Sequence, residues 1–359
     1  MPTIQGGRWT QLLVIAVLFA GCGRAEQGPD ATPAAAEASG ETGADRPLTK
    51  LTLALNWFPE SEHGGYFAAQ ARGFYQEAGL EVTIQSGGVS SRMIEEVALG
   101  RSDFGISNAD NILFARAQNL RVVALMAPLQ DSPRCLIAHR ASGIERFDQL
   151  RDVTLAMTPG AAFADFLRWK LPLPGVHIVQ YTGNVQAFLL DPRYVQQGYT
   201  FSEPYLARQN GADPQVLLVS ELGFNPYTSL LFTTEKMVAT RPDVVRRFVA
   251  AAVKGWQDYL VDPEPTNQLI QQRNRVIDLE ALAYGAHEIG PLIVAEEAGQ
   301  AGIGAMTLDR WATLEHQLVE SGQLAAGAVD PPRAFTTEFL PTAGPAQTPP
   351  PGDDAPTDK

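Results

Sequence analysis

The chain has 359 residues, enough to bury one large core or two smaller ones. Apolar residues make up 45% and charged residues 19%, the composition of a globular protein rather than a disordered or fibrous one. A formal net charge of −13 argues against nucleic acid as a partner, because phosphate backbones require Lys and Arg, and no apolar run is long enough to span a bilayer.

The N-terminus reads as a processing segment. Arg8 supplies positive charge, residues 12–20 form a short apolar stretch, and Phe19-Ala20-Gly21-Cys22 resembles the lipobox of bacterial lipoproteins. In such signals Cys22 receives diacylglycerol and the chain is cut before it. Phe19 stands where Leu is usual, and an ordinary secretory signal cut nearby is the alternative. Residues 1–22 are therefore expected to be a lipoprotein signal, followed at 23–47 by a flexible tether rich in Ala, Gly, Pro, Glu and Thr. The protein is expected to be exported and lipid-anchored to the bacterial cell envelope, on the periplasmic side. With Cys22 modified, Cys135 is alone in an apolar run and reads as a small buried side chain, with no disulfide and no metal site.

In chain order, Leu51, Leu53 and Leu55 alternate with polar or small residues as in a strand. Residues 56–65 break the pattern with aromatic, acidic and glycine residues, and 66–78 carries Phe67, Ala71, Phe74, Tyr75 and Ala78 at helical spacing. A strand that hands over to a helix through such a loop places the loop at the carboxyl edge of a sheet, where open α/β sheets bind ligands. Strand 80–85, helix 90–99, strand 103–107, helix 111–118 and strands 121–126 and 134–139 follow, the rhythm of a mostly parallel sheet. After Ala141 the rhythm restarts with strand 153–157, helix 162–171, strand 177–181, helix 185–190, a brief strand 198–201, helix 204–210 and strand 215–220. Strand 230–234 leads back, and helices 241–261, 266–276, 279–298 and 309–321 are expected to cap the first unit. Residues 341–359 read as a disordered tail. Periodicity alone yields two α/β units.

Four short motifs add more. NWFPESEHGGYFAAQARGFYQEAGLEVTI (residues 56–84) resembles the opening of the thiamine-pyrimidine-precursor family of periplasmic binding proteins, the solute receptors of ABC importers that are related to a fungal pyrimidine synthase. GRSDFGIS (100–107), YTFSEPY (199–205) and GFNPY (223–227) resemble later elements of that family in the same order, so the likeness covers roughly 51–235. It implies an α/β, two-lobed type II periplasmic binding protein fold with a ligand cleft between lobes. Lobe 1 is expected at 48–141 and 230–340, lobe 2 at 142–229, with hinges near 138–142 and 229–235. It further implies a monomer that captures a small-molecule ligand, a thiamine-related aminopyrimidine, and hands it to an ABC permease served by a separate ATPase subunit. Relatives take riboflavin-like or sulfonate solutes. No cofactor, metal or catalytic residue is expected.

A flat ligand rich in ring nitrogens and amines needs stacking faces and acceptors. Trp57, Tyr66 and Tyr227 offer faces, although Trp57 and Tyr227 also read as core residues. Glu62 and Glu203 offer charge-assisted acceptors, with a surface carboxylate as the alternative for Glu203. Asn56 closes the first strand. Ser107, Asn108 and Asp110 lie at a helix start, where each caps the helix or reaches the ligand. Gly88 and Gly160 follow strands and leave backbone N–H groups free. A sulfonate would use Arg92, Arg134 or Arg168. His63 reads as a hydrogen-bonding residue of the cleft or an orienter of Glu62. In the fungal synthase a His at the matching position is a donor consumed with pyridoxal phosphate, which makes an enzyme the alternative reading. The synthase's cysteine-rich iron-binding motif cannot be built from 2 Cys. Among the 5 His there is no HExxH, and the chain has neither a P-loop nor a GxSxG with a His partner.

Overall fold

A computed structural model describes residues 47–89, 91–293 and 302–341. The expected signal segment with Cys22, the tether as far as residue 46 and the tail after residue 341 lie outside the described residues, as do Ser90 and the end of the helix expected over 279–298.

Ten strands are described: β1 (Thr49–Ala54), β2 (Leu80–Gln85), β3 (Phe104–Ser107), β4 (Val122–Met126), β5 (Arg134–His139), β6 (Thr154–Met157), β7 (His177–Gln180), β8 (Tyr194–Tyr199), β9 (Pro214–Leu218) and β10 (Leu230–Thr234). They form two five-stranded sheets, ordered β2-β1-β3-β10-β4 and β7-β6-β8-β5-β9. In β2 the alternation is strict: Leu80, Val82 and Ile84 face the core, and Glu81, Thr83 and Gln85 face water.

Both sheets are mixed rather than mostly parallel. β1 runs parallel to β2 and β3, and β6 parallel to β7 and β8. β10 is antiparallel to β3 and β4, and β5 to β8 and β9. The two reversed strands are those that enter a sheet straight from the other one, with no crossover helix to bring them in parallel. β5 therefore belongs to the second sheet, not to the 48–141 unit expected from sequence. The chain changes sheets between Met126 and Arg134 and again between Leu218 and Leu230. Alternation identifies a strand but not its sheet, and the hydrogen bonds of β5 to β8 and β9 decide the matter.

The helices are α1 (Gly64–Ala71), α2 (Phe74–Glu77), α3 (Met93–Ala98), α4 (Ala109–Ala117), α5 (Ala162–Lys170), α6 (Gln186–Leu190), α7 (Glu203–Gln209), α8 (Glu235–Thr240), α9 (Pro242–Val261), α10 (Glu264–Arg273), α11 (Leu279–Ile293) and α12 (Leu308–Glu320). The single helix expected over 66–78 is broken in two, because Gly73 adopts φ 77°, a left-handed conformation suited to glycine. The brief strand expected at 198–201 begins earlier, at Tyr194.

One core packs α1, α9 and the first sheet through Tyr66, Phe67, Phe248, Val249 and Trp256. Here the glycines of the His-Gly-Gly motif are packing residues. A Cβ on Gly65 would lie 2.2 Å from the Trp256 ring, and one on Gly255 would lie 2.0 Å from the Gly65 carbonyl oxygen. A second core spans both sheets, joining Ile112, Leu113 and Ala124 to Leu155, Phe163 and Phe166. Trp311, Leu314 and Leu318 of α12 belong to it. α12 thus packs between α4 and α5 instead of capping the first unit. Cys135 is fully buried, as its apolar neighbours predicted.

Candidate functional site

A cavity of about 300 Å³ lies between the sheets. From the first sheet, Asn56 and Trp57 follow β1, Gly88 and Val89 follow β2, and Ser107 and Asn108 close β3. From the second, Thr158 follows β6, Tyr181 follows β7, Tyr199 ends β8 and Gln197 lies two residues before that end. Arg134 reaches the same place by opening the reversed strand β5, and Glu203 by opening α7. The site is thus the carboxyl edge of both sheets, where backbone polar groups and loops are free to meet a ligand. Trp57 and Val89 extend across to the opposite side, where each lies 3.7 Å from the point a Cβ on Gly183 would occupy.

The polar groups fall into two sets. On the first side, the Glu60 N–H donates to His63 Nδ1 at 3.3 Å. That fixes the tautomer: Nε2–H donates to Asn56 Oδ1 at 2.8 Å, and Asn56 Nδ2 donates to Glu62 Oε1 at 3.1 Å. The Ser229 hydroxyl donates to Glu62 Oε2. Burial pushes the Glu62 carboxyl up to about 7, against the lowering effect of its Ser229 and Asn56 hydrogen bonds. Burial also raises Glu60 well above the usual carboxylate range, helped by the charges of Glu62 and Glu203. Burial pushes His63 down to about 3, so its imidazole is neutral, and its 3.5 Å approach to Glu62 is not an ion pair.

On the second side, Glu203 accepts from the Tyr181 hydroxyl at 2.6 Å and from the Tyr199 N–H at 2.7 Å. The Arg134 guanidinium sits over the rings of Tyr199, at 4.0 Å, and Phe163, at 4.6 Å. No carboxylate among the described residues lies within ion-pair distance of it. Ser107 is buried with its Oγ unpartnered, so a hydrogen-bonding atom in the cavity wall is available.

The residues expected from sequence divide accordingly. Asn56, Trp57, Glu62, Gly88, Ser107, Asn108 and Glu203 line the cavity. His63 does not: it is fully buried, hydrogen-bonded to Asn56, which in turn donates to Glu62. Tyr66 is core, edge-on to Trp256 at 5.8 Å, because the helix that carries it begins at Gly64 and turns its ring toward α9. Tyr227 is also core, under Arg310 and beside Trp311, with its hydroxyl accepting from the Thr307 N–H at 3.0 Å. Asp110 is buried in the first turn of α4 outside the lining, its carboxyl raised by burial. Gly160 opens on a different depression with Arg168 and Trp169. Arg92 is not in the lining. Sequence reasoning missed Tyr181, Tyr199, Gln197, Thr158 and Glu60. A signal was available for two of them: Thr158 follows the strand expected at 153–157 and Tyr181 ends the one expected at 177–181, whereas Gln197 and Tyr199 belong to a strand whose start the sequence placed too late.

A model of the family described as NMT1/THI5 like matches residues 60–266. The chain is 28% identical over 344 residues to the riboflavin-binding protein RibY of Chloroflexus aurantiacus, an alignment covering 92% of this chain and 96% of that protein. It is 32% identical over 235 residues to the 4-amino-5-hydroxymethyl-2-methylpyrimidine phosphate synthase of Legionella pneumophila, covering 62% of this chain and 73% of that one. Its fold is similar to that of the periplasmic aliphatic sulphonate binding protein SsuA from Escherichia coli, with a TM-score of 0.62, 12% identity, and coverage of 85% of this chain and 98% of that one. The architecture is the periplasmic binding protein fold.

Proposed function

The chain belongs to the NMT1/THI5-like family, and on that premise we propose that it is the solute receptor of an ABC-type importer, capturing a flat nitrogen heteroaromatic and delivering it to a membrane permease. The observation that carries this reading is the placement of the cavity: strand ends of both sheets open on it, and the chain passes between the sheets twice. Two lobes hinged at 127–133 and 219–229 would close over a solute and present a joint surface to the permease. Mechanism is then capture and release by a monomer, with no bond made or broken and ATP hydrolysis left to a separate subunit. A lipid on Cys22 would hold the receptor at the cell envelope, a part of the proposal that rests on residues 19–22 alone.

The lining favours an uncharged or cationic ring over a sulfonate. The lining holds three carboxyl groups, Glu60, Glu62 and Glu203, and a single arginine, Arg134, which lies over the rings of Tyr199 and Phe163. An ionised carboxylate accepts from ring N–H and amino groups and repels an anion. A carboxyl that burial keeps protonated, as at Glu60, donates to a ring nitrogen or carbonyl, so the set matches a heterocycle edge. An aminopyrimidine satisfies this edge and fits the motifs. Riboflavin satisfies it too, and two observations favour it: the end-to-end alignment with a riboflavin-binding protein, and a cavity of about 300 Å³, more than a single pyrimidine ring fills. A donor role for His63 is disfavoured, since its imidazole has no exposure and both its nitrogens are engaged.

The test is a thermal-shift and titration series with riboflavin, 4-amino-5-hydroxymethyl-2-methylpyrimidine and an alkyl sulfonate. A ligand bound only by the folded state raises the melting temperature. One of the two heterocycles is expected to do so, with Trp57→Ala and Glu203→Ala each weakening it about tenfold or more. A shift with the sulfonate alone, or full affinity in both variants, overturns the reading.

A further inference from the structure

The two segments that carry the chain between the sheets run side by side. Leu129 pairs with Thr228 in an antiparallel bridge. Asn225 ties the segments together, accepting from the Ser132 N–H at 2.8 Å and donating to Asp131 at 2.8 Å. Thr228 Oγ1 and Ser132 Oγ lie 3.2 Å apart. The second segment ends on Ser229, fully buried at φ 51°, a left-handed conformation that residues other than glycine seldom adopt. The next residue, Leu230, enters β10 in the interior of the first sheet.

Two cavity-lining side chains hold Ser229 in that conformation. Its N–H donates to Asn108 Oδ1 at 3.1 Å, and its hydroxyl donates to Glu62 Oε2. Both partners belong to the first side of the cavity, Asn108 at the end of β3 and Glu62 in the loop after β1. We propose that Ser229 is a positioning residue for solute capture, fixing the Glu62 carboxylate and the Asn108 amide while seating the paired crossing segments, so that contact with solute and the conformation of the hinge are set by one residue. This rests on the receptor reading above.

The cavity wall and the hinge share atoms. Glu62 gives Oε1 to Asn56 and Oε2 to Ser229, so its orientation toward the cavity is fixed from both sides. A solute N–H that draws on Glu62 or Asn108 draws on the same two groups that keep Ser229 left-handed. A backbone in a sparsely populated conformation persists only while its surroundings over-determine it. The coupling is reciprocal: whatever stabilises the seated hinge also presents the two side chains correctly.

Four full-length variants test this, Ser229→Ala, Ser229→Gly, Glu62→Gln and the combination of the first and third, with riboflavin and 4-amino-5-hydroxymethyl-2-methylpyrimidine as probes. Ser229→Ala keeps the Cβ and removes the hydroxyl. Ser229→Gly removes the hydroxyl and the left-handed cost together, which guards against an alanine variant that fails to fold. Both are expected to weaken the probe that the unaltered protein takes by about tenfold or more, the scale of one hydrogen bond to a charged group. In ¹³C NMR of the side-chain carboxyls without ligand, both should move the Glu62 midpoint upward, because a donor to the ionised form is gone. Combining Ser229→Ala with Glu62→Gln should cost less affinity than the sum of the two single losses. Because the NMR titration needs no ligand, a raised Glu62 midpoint supports the assignment of Ser229 even where neither probe binds and the ligand reading fails. An unmoved midpoint, unchanged affinity in both single variants, or strictly additive losses overturns it.

Discussion

Burial pushes Glu62 up to about 7 and His63 down to about 3, so these adjacent groups respond to acid with opposite sign. Glu62 holds its proton more tightly folded than unfolded. Its contribution to stability is full below its ordinary value of 4.5 and is lost as pH rises through 7. His63 holds its proton less tightly when folded. Its contribution is full above its ordinary value of 6.5 and is lost as pH falls toward 3. Between pH 7 and 5 the two largely cancel, and a single substitution unmasks them. Going from pH 7 to pH 5, Glu62→Gln should become less stable relative to the unaltered protein by about 2 kcal/mol, read by chemical denaturation at each pH. Glu203 and Arg134 also act on this site and are present in both proteins. Glu60, raised in part by the Glu62 charge, is relieved of that charge in Glu62→Gln, so the difference between the profiles reads the Glu60–Glu62 pair. Parallel pH profiles would mean that Glu62 titrates ordinarily in the fold. At this scale the sequence was a partial guide. Asn56, Trp57, Glu62 and Glu203 were legible as polar or aromatic residues beside strand ends. Tyr66 and Tyr227 were misplaced because residue type does not reveal which way a ring turns once its helix or loop is packed.

The Gly64-Gly65 pair reads in sequence as part of a ligand loop, yet it begins α1 and lies against α9. Here the same substitution has unequal consequences at two helical sites. Gly65→Ala would drive a methyl into the Trp256 ring, 2.2 Å away, and force the helices apart, a loss of about 3 kcal/mol. Gly290→Ala in α11 meets nothing within 4 Å beyond its chain neighbours, but Pro291 disfavours a Cβ on the helical residue before it, so the gain in helix propensity is offset and the change stays within about 1 kcal/mol. Urea denaturation of both variants checks the contrast, and a neutral Gly65→Ala would show that α1 and α9 pack more loosely than described. Most elements were legible because helical and strand periodicities are local. The exceptions have local causes too: Gly73 breaks a helix whose apolar spacing continues past it.

Across the molecule, the two sheets share a core that contains Trp311, stacked on Phe335 at 5.6 Å. Helix α12 therefore ties the lobes by packing on both α4 and α5. A common core predicts that both sheets unfold together: scanning calorimetry should give one transition with calorimetric and van't Hoff enthalpies in agreement. Trp311→Ala should lower that transition as a whole, by about 3–5 kcal/mol in stability. Two resolved transitions would mean that the lobes fold independently.

What the sequence determined by itself is what is written locally: two α/β units, their order along the chain, the loop after the first strand as chemistry-bearing, and Cys135 as a buried side chain. Alternation and helical spacing express how each segment meets a core, and they are complete within ten or twenty residues. Only the tertiary structure decided that Arg134 to His139 joins the second sheet, that α12 is shared by both, and that Tyr181, Tyr199 and Arg134 face Trp57 and Glu62 across one cavity. It also decided that Ser229, an inconspicuous residue 167 positions from Glu62, holds that carboxylate. Those facts depend on contacts between distant parts of the chain, and a pattern that repeats every two or four residues carries no record of which distant surface it will meet.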